Sequence, residues 1–312
     1  MRDALLRAWN SFWFRPAGPT GLLAARSIVC AQALWILLSR PNLPEILDWP
    51  HAFWLGVDRA LAGRFLILGL PTGIEHALYW LLLAGLAAGM LGFFSRASGL
   101  AMALLLYHFA AFEDIFSSRG GPFFRGLTVP VMALVLLACA EMPRWRARPS
   151  PEFRWPLAAI QVLFAFTYFF SGISKLLAMG PRWFSARNFQ GLVLGLIIPE
   201  VSAPWSRAVA ASTALCQAGA VAAFALDFLL VLAAFSPRAA RFAIPALAVG
   251  HLLVVKILGV VFLGLPLLLI FVDWDAIAGQ IERRRSAGGL RTAEGILSAP
   301  QAGPELPRSL RR

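Results

Sequence analysis

The sequence predicts an all-α, polytopic integral membrane bundle, and three observations carry that expectation. Of 312 residues, 59% are hydrophobic and only 14% are charged, too few charges to cover the surface of a soluble domain of this size. Apolar runs of about 20 residues, the length that crosses a hydrocarbon core, recur along the chain. The remaining charge is mostly arginine, gathered in short connections and after the last apolar run. The net charge of +12 is therefore read as topological, with cationic loops held at cytoplasmic headgroups. Nucleic-acid binding is not expected, because no RNA- or DNA-binding module accompanies the charge. Cys30, Cys139 and Cys216 all fall in apolar segments without a C-x-x-C spacing, which argues against a disulfide framework or a thioredoxin-like unit.

Taken in order, "MRDALLRAWNSFWFRP" mixes arginine with Trp, Phe and Leu and is read as an interfacial amphipathic helix rather than a cleaved signal. About eight transmembrane helices follow, over 20–38, 76–95, 97–116, 124–141, 156–178, 208–235, 241–259 and 260–275. Gly259 and Gly264 leave little room for a turn between the last two. The connection 39–75 contains prolines, Trp49, Trp54 and the run "FLILGLP", which is too short to span. That run, and "GLVLGLIIP" at 191–199, are expected to be interfacial or re-entrant. No internal repeat is visible. Residues 1–278 are read as one transmembrane domain and 279–312 as a basic, disordered tail associated with headgroups. The loop "PRWRARPSPEFR" carries Arg144, Arg146, Arg148 and Arg154. Its charge places both termini in the cytoplasm of a multi-pass cell-membrane protein.

An ionisable group inside a bilayer is costly, so one that persists faces a cavity or a partner. The candidates are Arg26, His108, Glu113, Asp114, Lys175, Asp227, His251 and Lys256. The chain has two lysines, Lys175 and Lys256, both in apolar spans, while every other basic side chain is arginine. Arginine stays protonated, whereas a desolvated lysine can release its proton near neutral pH and act as a general base. The competing readings are that each lysine snorkels to a headgroup or pairs with a carboxylate. Gln161, Tyr168 and Lys175 recur every seven residues and share one helical stripe, with Gly172 beside it to permit close approach. His108, Glu113, Asp114 and Arg119 sit near the outward end of the third span in the expected topology. With Lys175 and Tyr168 they could open toward one outward cavity, with Glu113, Asp114 and Arg119 at its rim. A structural acid–arginine pair at that loop is the alternative. Arg26, Asp227, His251 and Lys256 are read as buried polar groups. An Asp227–His251, Asp227–Lys or Asp227–Arg26 pair would satisfy them without chemistry. No metal site is expected, because His51, His76, His108 and His251 have no metal-ligand spacing. Nucleophile-elbow, P-loop and dinucleotide-binding motifs are not found.

The segment "YFFSGISKL" at 168–176 resembles the Tyr-Phe-x-x-Gly-x-x-Lys-Leu signature of vitamin K-dependent γ-carboxylase and its bacterial relatives, the horizontally transferred transmembrane (HTTM) domain proteins. Other pieces follow in the family's order. "FRPAGPTGLLAARSIVCAQAL" at 14–34 is similar to the opening proline and first-span arginine, here Arg26. "GPRW" ending at Trp183, "FALDFLLVL" at 224–232 and "VGHLLVVKILGVVFLGLPLLLIF" at 249–271 are similar to later segments. The resemblance spans roughly residues 14–275. It implies that Lys175 is the base that deprotonates a reduced quinone, and that a site histidine is matched by His108. Asp227 stands where relatives carry glutamate. The carboxylase's large non-membrane C-terminal region has no counterpart after Asp275, so glutamate carboxylation itself is not expected.

The functional expectation is a quinol-linked enzyme, or one acting on another lipophilic substrate, with a lysine base. Two other classes compete with it. One is a non-catalytic membrane partner that supports maturation, export or immunity for another protein. The other is a small-solute transporter, a class that commonly shows inverted repeats and broken helices.

Overall fold

The computed structural model describes residues 2–39, 43–49, 70–114, 122–195, 203–258 and 264–284, without the side chains of Leu5, 111–114 and 122–126. Among the described residues secondary structure is helical, apart from a single bridge between Ala17 and Ser150. The helices are α1 (Arg2–Phe14), α2 (Pro19–Leu38), α3 (Leu43–Leu47), α4 (Thr72–Leu91), α5 (Arg96–Asp114) and α6 (Pro122–Cys139). They continue with α7 (Pro151–Met179), α8 (Ala186–Gly195), α9 (Ala203–Ala210), α10 (Thr213–Phe235) and α11 (Pro237–Leu258). Two 3₁₀ segments, Gly180–Phe184 and Leu265–Phe271, follow α7 and α11. The chain divides into two compact units, Met1–Val272 and Asp273–Arg312. The second unit contains a helix over 274–284, capped by the Asp273 carboxylate, which accepts from the Ala276 N–H at 3.0 Å.

Among the described residues, α2, α4, α7, α10 and α11 are long and apolar enough to cross a membrane. The protein is a multi-pass helical membrane protein whose apolar helices suit contact with lipid. Helices α5 and α6, 19 and 18 residues long, occupy the third and fourth expected spans.

Local chemistry sets the helix ends. Ser150 caps α7 by accepting from the Glu152 N–H at 3.2 Å, with Pro151 at the first helical position, where its missing N–H is no loss. Ser212 caps α10 in the same way through Leu215. This breaks the expected 208–235 span into α9 and α10.

The first span is the organising helix. Leu22, Ala25, Val29, Cys30, Ala33, Ile36 and Leu37 of α2 are buried, and α2 packs against α4, α6, α7 and the Leu265–Phe271 segment. Its small residues let neighbouring backbones approach closely. Helices α7, α10 and α11 pack together on the other side of the bundle.

One expected span is corrected. The described part of residues 260–275 begins at Gly264 and is not a membrane-length helix. It holds a 3₁₀ segment of 7 residues, Leu265–Phe271, about 14 Å long at the 3₁₀ rise and under half the hydrocarbon thickness. Leu267, Leu268 and Ile270 are nevertheless buried. Backbone of this kind survives in an apolar bundle only where protein satisfies its polar groups. Gln161 does so: its amide N–H donates to the Ile270 carbonyl at 2.9 Å. The Arg154 Nη1 donates in turn to the Gln161 carbonyl oxygen at 3.4 Å, and its Nε donates to the Phe12 carbonyl at 3.1 Å. Thus α1 is tied to the same end of the bundle as the arginine-rich loop. Of the two runs expected to be interfacial, "GLVLGLIIP" begins inside α8 and its residues 196–199 lie outside the described residues, as do residues 65–69 of "FLILGLP".

Candidate functional site

The seam between α7, α10 and α11 brings Tyr168, Lys175, Asp227 and His251 together. On α7, Tyr168, Ser171, Gly172 and Lys175 lie three to four residues apart and therefore on one face. Gly172 decides how close α10 can come. A Cβ there would fall 2.8 Å from a Phe228 ring carbon and 3.0 Å from the Asp227 Cβ, so only glycine admits this approach. The result is a direct ion pair: Lys175 Nζ donates to Asp227 Oδ2 at 2.5 Å. Ser171 hydrogen-bonds the same carboxylate, which also interacts electrostatically with His251. The alternatives for Asp227 thus resolve to Lys175.

Tyr168 reaches across to α11, with its hydroxyl 2.8 Å from His251 Nε2. The other ring nitrogen, Nδ1, lies 2.6 Å from the Leu247 carbonyl, which can only accept. In the neutral imidazole Nδ1 therefore carries the hydrogen, Nε2 accepts, and the tyrosine donates. The seam thus contains a Tyr–His pair and a Lys–Asp pair side by side.

The lysine end is the open one. The Lys175 side chain is 22% exposed, against 9% for Asp227. Its ammonium sits 5.1 Å from the centre of the Trp183 ring, within cation–π range. Trp183 comes from the 3₁₀ turn after α7, and its indole N–H is buried without a hydrogen-bond partner among the described residues. Aromatic rings continue from there: Phe184 contacts Phe224 at 4.9 Å, Phe224 contacts Phe228 at 4.9 Å, and Phe228 contacts Phe169 at 5.5 Å between centroids. A cation, a carboxylate and a free indole donor therefore stand against an aromatic wall.

Other expected site residues lie elsewhere. His108 does not join Lys175. It pairs with Glu75 of α4, with 2.8 Å between Nε2 and Oε2. Both residues are buried, and α5, which carries His108, packs on α3, α4 and α6. The single cavity expected to hold His108 and Lys175 is thus corrected to two separate acid–base pairs. Arg26 is buried on α2, apart from Asp227. Lys256 is exposed rather than buried. It lies in the last turn of α11, where a cation complements the helix dipole. Glu113 and Asp114 end α5 with side chains outside the described set, and Arg119 lies outside the described residues altogether.

Sequence reasoning missed Glu75, Ser171 and Phe228. Glu75 had a signal, a carboxylate immediately before an apolar run, but it lay one residue outside the expected span. The chain matches no family model, no curated protein and no solved structure at a significant level.

Proposed function

We propose that the protein is a membrane enzyme that moves protons on a lipophilic, quinol-type substrate, with Lys175 as the base. The observation that carries this reading is the partly open Lys175–Asp227 pair, set between an unpartnered Trp183 donor and an aromatic wall. A planar aromatic headgroup would stack on the phenylalanines and direct a phenolic hydroxyl at the amine. As the proposed base, Lys175 takes the phenolic proton, and the Asp227 carboxylate balances the ammonium that results. Tyr168 and His251 form a second donor–acceptor pair along the same seam, through which the proton can leave. The resemblance of residues 168–176 to the HTTM and γ-carboxylase signature supports the same role for Lys175. Sidedness belongs to the proposal: the arginine-rich loop 142–155 faces the cytoplasm, with both termini, and Lys175 opens toward the outer leaflet. A cysteine at position 148 should then react with impermeant reagents only after the cells are opened.

The test is spectroscopic. Under anaerobic conditions, purified protein should convert an added reduced naphthoquinone to its quinolate anion, read by absorbance. Lys175→Arg should abolish that conversion, since a guanidinium cannot serve as a base. A Lys175→Arg protein that forms quinolate like the parent would overturn the assignment.

A transporter reading has one observation in its favour, the interrupted Leu265–Phe271 segment buried beside α2 and α7, because broken helices mark substrate sites in many transporters. The Ile270 carbonyl of that segment, however, is engaged by Gln161 and so is not free to coordinate a solute.

A further inference from the structure

Arg26 is a buried charge that the proton-transfer seam does not use. It lies on α2 where that helix crosses the end of α4. The neighbouring Ser27 hydroxyl donates to the Met90 carbonyl at 2.9 Å. Gly92 closes α4 in a left-handed conformation, φ 116°, which favours glycine. A Cβ at Gly92 would lie 3.6 Å from Arg26 Nη2, so the guanidinium faces this turn.

The residue is 8% exposed, and its Nε is buried with no hydrogen-bond partner among the described residues. No carboxylate among the described residues pairs with it. The titratable group that interacts with it is the Cys30 thiol, one turn along α2, which is no counter-charge. A guanidinium remains charged at any physiological pH, and burying it unpaired among apolar helices is strongly unfavourable. Snorkelling leaves the charge without a partner, because the terminal nitrogens keep only the residue's small remaining exposure. An anion bound at those Nη groups, beside the Gly92 turn, would supply the missing counter-charge. The planar fork of donors fits two oxygens of one tetrahedral oxyanion.

We propose that Arg26 anchors a phosphate-type oxyanion in the seam between α2 and α4, supplied by an anionic phospholipid headgroup or by free phosphate. The surroundings suit the lipid source. Arg96, four residues after Gly92, adds an exposed cation at the same turn. Leu91 and Phe93 flank Gly92 with 72% and 76% of their surface exposed, an apolar lip against which acyl chains would lie.

The full-length protein, delipidated in a non-ionic detergent, is titrated with phosphatidylglycerol, phosphatidylcholine or inorganic phosphate. Discrete adducts are read by native mass spectrometry and thermal midpoints by unfolding. The expected result is a one-to-one phosphatidylglycerol adduct that raises the midpoint, with phosphatidylcholine binding at least about tenfold more weakly, as befits a charge-assisted contact. Saturation by inorganic phosphate alone, with the same midpoint shift, supports the site and assigns it to the free ion. Arg26→Gln should lose both the adduct and the shift. Arg26→Lys should retain part of each, because one charge remains but the fork is lost. Equal response of the parent to phosphatidylglycerol and phosphatidylcholine, with none to phosphate, would overturn the proposal without any variant. So would an Arg26→Gln protein that binds and responds like the parent.

Discussion

Two acid–base pairs join different helices of the bundle, Glu75–His108 between α4 and α5 and Lys175–Asp227 between α7 and α10, and their surroundings differ more than their chemistry. Glu75–His108 joins α4 to α5 at 2.8 Å, with both side chains at most 7% exposed, and Tyr79 and Phe109 pack edge-to-face next to it. Lys175–Asp227 joins α7 to α10 at 2.5 Å, with the lysine open on one side and an indole donor left over beside it. A closed pair can do little but hold two helices together, because no substrate reaches it. An open pair retains a face for a ligand and so contributes less to stability. Accessibility, rather than the presence of a histidine or a lysine, separates a structural pair from a chemical one.

The largest stability effect should come from the closed pair. His108→Leu strands the Glu75 carboxylate among apolar side chains and should lower stability by about 3 kcal/mol, read by thermal unfolding in detergent. Quinol binding by the surviving protein should be unchanged. Gly172→Val comes next. Its side chain would meet Phe228 and Asp227 at the distances given for a Cβ, and relief by moving α10 away should cost about 2 kcal/mol and break the Lys175–Asp227 contact. Unlike His108→Leu, it should also abolish quinol binding. Lys175→Met should cost only about 1 kcal/mol, because the lysine it replaces is partly exposed and water already screens its side of the pair. The double variant Lys175→Met, Asp227→Leu should recover most of that loss, a coupling that a double-mutant cycle measures directly. Lys256→Gln should change stability by less than about 0.5 kcal/mol and leave binding untouched. If Lys175→Met costs more than His108→Leu, the distinction between closed and open pairs fails.

The stripe on α7 was legible because a seven-residue recurrence of polar groups in an apolar helix leaves them one face, and Gly172 on that face announces a close neighbour. Asp227 was legible as a paired group, since a lone carboxylate has no place in such a helix, but its partner was not, because several cations were equally available in sequence. His108 was misplaced because its counterpart, Glu75, stood just outside the expected span and so was not counted as intramembrane. Lys256 could have been separated from His251 by geometry. Five residues turn a helix by about 140°, so the two cannot share a buried face. The last expected span failed for a different reason. Hydropathy reports that a segment avoids water, not that it is helical. The Leu265–Phe271 segment avoids water by packing on α2 and α7, while Gln161 satisfies the Ile270 carbonyl.

The most direct test compares the two pairs as ligand sites. Binding of a reduced naphthoquinone is measured by equilibrium titration in detergent under anaerobic conditions for the parent and for Lys175→Met, Asp227→Asn, His108→Gln and Glu75→Gln. Binding by the parent and by both variants of the closed pair, with at least about tenfold loss in both variants of the open pair, is the predicted result. Equal binding by all five proteins, or loss confined to the Glu75 and His108 variants, would contradict it.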